Sequence, residues 1–108
     1  MNIKEILNIT RDLSTDTPVR MSECKLIEIH DNIQSVHFAT LTYVPYKGLL
    51  AEKSDLLFTC STLAELKELS DKHSLHRRDL HIFYIDSSAK EVAFSGVALI
   101  DNAVVLFN

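Results

Sequence analysis

The spacing of apolar side chains changes along the chain, and each change predicts an element. Residues 2–13 carry Ile3, Ile6, Leu7, Thr10 and Leu13 at i, i+3, i+4, i+7 and i+10, the spacing of one helical face. Asn2 suits the N-cap, with Glu5 three residues on to complete a capping box, and Asp16-Thr17-Pro18 ends the helix. From Val19 the period becomes two. Cys24–Ile29 reads as a strand, His30-Asp31-Asn32 as a polar turn, and a second strand follows with Val36 and Phe38 on one face and His37, Ala39, Leu41 and Tyr43 on the other. Together they predict a β-hairpin that stops at Pro45, which has no N–H to donate.

Tyr46–Leu50 is irregular, and Asp55–Cys60 is a short apolar run suited to a buried strand. Thr62 and Glu65 stand in the S/T-x-x-E relation of a second helix, whose stripe is Leu63, Leu66 and Leu69. Lys72 and His73 fall in its last turn, where the helix dipole favours cations. Ser74–Asp79 is a polar link. Leu80–Ile85 is apolar on both faces, as in a central strand, and Asp86–Glu91 is a turn. Val92, Phe94, Ala98 and Ile100 share one face of a long strand in which Gly96 marks a bulge or a close backbone contact. Asp101-Asn102 suits a two-residue hairpin turn into a last strand, Ala103–Phe107.

The resulting order is α-β-β-β-α-β-β-β. It predicts one α+β domain over residues 1–108, with two helices packed on one face of a mainly antiparallel sheet of about six strands. Leu56–Ile85 reads strand, helix, strand, a crossover joining two parallel strands. The second sheet face is then polar, closed on itself or covered by a partner. Residues 27–44 align with 83–100, pairing Ile29 with Ile85, Val36 with Val92 and Phe38 with Phe94, so two pseudo-repeated halves are one reading of the pattern. Any two amphipathic hairpins of equal length would align as well.

With 46% apolar and 24% charged residues in 108, the composition is that of a globular chain able to close a core without disulfides. A formal charge of -4 argues against nucleic acid as the main partner, since phosphate binding draws on clustered Lys and Arg. Gly48 and Gly96 are the only glycines, which excludes Gly-rich phosphate loops and dinucleotide fingerprints. Cys24 and Cys60 read as reduced cytosolic thiols. Met1–Glu5 has no apolar run of a secretory signal, and no stretch is long enough for a membrane span. The expected location is the cytoplasm.

The chemistry on offer is thin. Cys60, two residues ahead of a helix start, is the one candidate catalytic nucleophile, since helix N–H groups can stabilise a thiolate. It lacks a C-x-x-C or C-x5-R context and serves equally as a small buried side chain. His73, His76 and His81 are candidate metal ligands, but their spacing crosses a loop and matches no zinc pattern. His76-Arg77-Arg78, with Lys72 and Lys90, is a basic cluster flanked by Asp71 and Asp79. Carboxylate pairs would have to be assembled from Glu28 with Asp86 or Glu91. No cofactor is implied.

Tyr43-Val-Pro-Tyr-Lys-Gly-Leu-Leu50 places Tyr43, Tyr46, Lys47, Leu49 and Leu50 in a predicted loop, the composition of a partner-binding surface. Val104, Val105, Leu106 and Phe107, without charge, would be a poor exposed edge, so the last strand is expected inside the sheet or paired across a dimer. The expected function is a non-catalytic, cytoplasmic protein-binding module, of the inhibitor or immunity type that masks a basic enzyme or toxin, with a homodimer compatible. The alternative is a small thiol-dependent or small-ligand enzyme centred on Cys60.

Overall fold

A computed structural model describes residues 1–31, 33–54 and 59–108. Asn2 caps the first helix, α1 (Ile3–Thr10), by accepting from the Glu5 N–H at 2.9 Å. β1 (Val19–Met21) follows. Cys24–Ile29 is not a strand: Leu26–Asp31 forms a short helix, α2. Local bonds there replace a sheet ladder, because Ser22 Oγ accepts from the Cys24 N–H at 3.1 Å and Glu28 Oε2 from the Lys25 N–H at 3.0 Å. A strand would have put Ile27 and Ile29 on one face. The helix separates them, burying Ile29 and leaving Ile27 74% exposed.

β2 (His37–Val44) therefore pairs antiparallel with β1 and with β3 (Gly48–Ser54). The segment from Tyr43 to Leu50, expected as a loop, is mostly strand. It closes the β2–β3 hairpin through a turn in which Tyr46 takes φ +67°. In the run expected as a strand at Asp55–Cys60, residues 55–58 lie outside the described residues, and Thr59 and Cys60 are in a turn.

α3 (Leu63–His73) starts at Thr62, as expected, but not through a Thr62 side-chain cap. Ser61 Oγ instead donates to Glu65 Oε1 at 2.8 Å. The Leu63 and Ala64 N–H groups donate to the Thr17 and Thr15 carbonyls, each at 3.0 Å, so the segment before β1 satisfies the helix start. Ser74 ends the helix with φ +53°, and a 3-10 turn at Leu75–Arg77 buries Leu75. A parallel crossover around α3 is present, but its first strand is β3 and not the run expected at Leu56–Cys60; β4 (His81–Ile85) lies parallel to β3.

β5 (Glu91–Ala93) and β6 (Gly96–Ile100) are the two halves of the predicted long strand, and β7 (Ala103–Phe107) returns from the Asp101-Asn102 turn, where φ is +51° and +59°. The described residues thus form three helices and a mixed seven-stranded sheet in the order β5-β4-β3-β2-β1-β7-β6. Parallel pairs are β1/β7 and β3/β4. β5 and β6 stand at opposite edges, yet only Phe94 and Ser95 separate them, a span of at most about 11 Å. The sheet must curl until the C-terminal end of β5 and the N-terminal end of β6 come together. The linker makes the join: the Phe94 N–H donates to the Ile82 carbonyl of β4 at 3.1 Å and the Ser95 N–H to the Phe107 carbonyl of β7 at 2.9 Å.

Alternation along β7 shows how the faces are covered. Val104 and Leu106 enter the main core with Ile3 and Ile6 of α1 and Leu63 and Leu66 of α3, while Val105 packs against Ile29 of α2 on the other side. Helices thus lie on both faces rather than one. A two-fold repeat is not seen: Ile29 is helical where Ile85 ends a strand, and Phe38 lies under Arg20 where Phe94 is in the core. No helix among the described residues is long and apolar enough to cross a membrane.

Candidate functional site

β1, β3, β4 and β7 all run in one direction, so their C-terminal ends gather at one end of the curled sheet. β3 and β4 pair only over Gly48–Leu50 and His81–Phe83, then part. The wedge between them is a cleft of about 300 Å³ lined by Met21, Glu23, Leu50–Lys53, Tyr84 and Ile85. Tyr84 is 5% exposed, and its hydroxyl oxygen accepts from Asn108 Nδ2 at 2.6 Å. Among the described residues no acceptor takes the phenolic proton. At the rim, Lys53 Nζ lies 3.3 Å from Glu23 Oε2, while Glu52 is exposed and in no ion pair among the described residues.

Burial, with the Glu23 carboxylate adding to it and the Asn108 bond opposing it, holds the Tyr84 phenol above the ordinary tyrosine range. A folded-state acid whose pKa is raised loses its proton later than in the unfolded chain. Stability from Tyr84 is therefore present below the unfolded value of about 10 and falls as pH rises beyond it. Phenolate absorbance of the folded protein should show one of the three tyrosines ionising late, and Tyr84→Phe should remove that component. A late component that survives in Tyr84→Phe would refute the assignment.

A second feature is the outer edge of β6. A two-residue turn closes on a mutually bonded pair, here Ile100 and Ala103, so Val97 and Leu99 point their N–H and C=O groups away from β7. No strand pairs with that side among the described residues. Beside it runs an apolar groove of about 130 Å³ between α1 and β6, with Ile9 and Leu99 each 57% exposed.

The residues singled out from sequence are dispersed. Tyr43 stacks on His73, with centroids 3.6 Å apart and planes 9° from parallel. Leu49 is buried, Leu50 lines the cleft, and Lys47 pairs with Glu91. Tyr46, 90% exposed, is presented openly, and Lys47 is exposed as well. Val104, Val105 and Leu106 are buried, and with Phe107 they form β7, which has β1 on one side and β6 on the other. The last strand is therefore interior and offers no edge to a second copy.

Cys60 is half-buried, and burial pushes its thiol up, with Glu65 adding to the rise and Arg20 opposing it. That is the wrong direction for a thiolate nucleophile. His73 is stacked on Tyr43, His76 Nδ1 lies 3.5 Å from Ser70 Oγ, and His81 Nδ1 lies 3.0 Å from the Met1 carbonyl. No group of three His, Cys, Asp or Glu side chains among the described residues could hold a metal. Arg77 and Arg78 are joined by Lys4 around a shallow hollow, where Asp79 accepts from Asn2 Nδ2 at 3.0 Å. Glu28 and Asp86 accept local bonds, from the Lys25 N–H and from the Ser88 and Lys90 N–H groups, and Glu91 pairs with Lys47, 44 residues away in the chain.

Tyr84, Asn108, Glu23, Glu52 and Lys53 went unremarked in the sequence. The available signal was a phenol inside the apolar strand His81–Ile85, since a buried hydroxyl needs a partner. Compared with protein families, curated proteins and solved structures, the chain matches none.

Proposed function

We propose that the chain is a non-catalytic protein-binding module that receives an extended segment of a partner along β6. The observation that supports this is the contrast between the two sheet edges. β5 is three residues long and carries Glu91, the short and charged build that discourages strand addition. β6 is five residues long and uncharged, turns backbone groups outward at Val97 and Leu99, and adjoins an apolar groove. Strand addition draws affinity from main-chain hydrogen bonds and specificity from side-chain pockets, and this edge supplies both. The formal charge of -4 favours a basic partner, which fits an inhibitor that masks a basic enzyme surface.

The test is capture of the partner by the wild type, Leu99→Lys and Ile27→Lys at low and high salt, with solution mass read by light scattering. Leu99→Lys should abolish capture by placing a charge on the edge. Ile27→Lys, the same change at a site 74% exposed on the helix of the opposite face, should leave it intact. Capture should also weaken at high salt. A stoichiometric partner held equally by Leu99→Lys would overturn the edge, and a dimer broken by Leu99→Lys would replace the foreign partner with a second copy.

A further inference from the structure

We propose that two adjoining hollows between α1 and the turn at Leu75–Arg77 form a binding site for a small phosphate monoester with a hydroxylated body, separate from the β6 edge. The local fold brings the cations together. Ser74 ends α3 with φ +53°, and the fully buried Leu75 pins the 3-10 turn against α1. Arg77 and Arg78 stay exposed beside that helix, with His76 half-buried. Lys4, Leu7 and Asn8 stand at i, i+3 and i+4, one face of α1, and complete the lining. Ile9 lines the β6 groove from another side of the same helix.

The lining sets the chemistry. Lys4, Arg77 and Arg78 surround a hollow of about 210 Å³, and none of them is in an ion pair among the described residues. Asp79 is the one carboxylate lining it, and one of its oxygens is taken by Asn2 Nδ2. Three permanent cations against one carboxylate favour an anion, and a phosphate monoester brings nearly two charges and three acceptor oxygens to them. The hollow falls below the range of about 300–1,000 Å³ for whole small molecules, so it seats the phosphoryl group alone. The body of the ligand lies in the adjoining hollow of about 320 Å³, which shares Lys4 and His76 and adds Leu7, Asn8 and Asp71. There the Asp71 carboxylate repels a second anion, and with the Asn8 amide it bonds hydroxyl groups. His76 has Nε2 to offer, since its Nδ1 lies 3.5 Å from Ser70 Oγ. A formal charge of -4 opposes a long polyanion such as RNA, while screening over about 8 Å leaves a single phosphate to the cations of the hollow.

Glucose 6-phosphate is the probe. Titrated into the full chain and followed by amide NMR shifts, it should produce saturable changes at Lys4, Asn8, Asp71, His76, Arg77 and Arg78, with a Kd of about 1 mM for so open a site. Inorganic phosphate should bind several-fold more weakly, and glucose should give no saturation. Arg77→Gln and Arg78→Gln alter exposed side chains, and each should weaken binding about tenfold, as loss of a charge-assisted hydrogen bond does. Lys90→Gln removes an exposed cation that does not line the hollows and should bind as the wild type does. No saturable change with glucose 6-phosphate, or wild-type affinity in both arginine variants, would overturn the site. Inorganic phosphate held as tightly as glucose 6-phosphate would overturn the ester, and a single-stranded RNA held more tightly than either would overturn the small ligand.

Discussion

Gly48→Ala is expected to be the most damaging single substitution that adds only one carbon. Gly48 opens β3 at φ +129°, a backbone conformation that side chains rarely adopt. A Cβ there would stand 2.1 Å from the His81 carbonyl oxygen, and that neighbour is backbone of the paired strand. Neither partner can yield without separating β3 from β4 where their short parallel pairing begins, Gly48 against His81. Strain of about 1–3 kcal/mol from the dihedral alone, with the clash added, places the loss at about 3 kcal/mol or more. Against a total stability of about 5–15 kcal/mol, that lowers Tm by about 15 °C. Gly96→Ala is the control. Its Cβ would meet the Phe107 ring at 2.5 Å, but that ring is a side chain at the edge of the core and can turn aside. Thermal unfolding of both variants checks the order. A Gly48→Ala protein as stable as Gly96→Ala would show that the parallel pairing does not hold the sheet.

The second large effect is expected at Phe94, the residue that joins the two sheet edges. Its ring is 1% exposed and packs at 5.0 Å from that of Tyr84, while its N–H bonds to β4 and that of the next residue bonds to β7. Phe94→Ala should cost about 3–5 kcal/mol through lost burial and the cavity left behind. The backbone bonds survive the substitution, so a weakened but still cooperative transition is expected in urea. Because the Phe94 ring supports that of Tyr84, the late-ionising tyrosine should also move toward the ordinary range in this variant. Loss of stability without that move would separate closure of the sheet from the environment of the cleft.

Much of the helical structure was legible because helical signals are local. Asn2, Glu5 and the Ile3-Ile6-Thr10 spacing lie within one element, and α1 forms where they place it. The start of α3 was legible for the same reason, although the partner of Glu65 is Ser61 and not Thr62. Cys24–Ile29 misled because Cys24, Leu26, Ile27 and Ile29 make too short a run to separate a strand period from i, i+3 helical spacing, and the bonds that make it helical come from Ser22 and Glu28 side chains. Tyr43–Leu50 misled in the opposite way, since tyrosine, proline and glycine there build a hairpin turn and its flanking strands.

The candidate site was barely visible in advance. Met21, Lys53, Tyr84 and Asn108 are far apart in the chain and meet only because four strands end together. The sequence by itself determined the α+β class, the two longer helices and the Asp101-Asn102 hairpin, all of which follow from capping, periodicity and turn chemistry within short windows. Tertiary structure alone decided strand order, the curl that brings β5 and β6 to opposite edges across two residues, and the parting of β3 from β4. Those depend on which long-range pairing buries most apolar surface while leaving no inner edge unpaired, a choice made by the whole chain and written in no single segment.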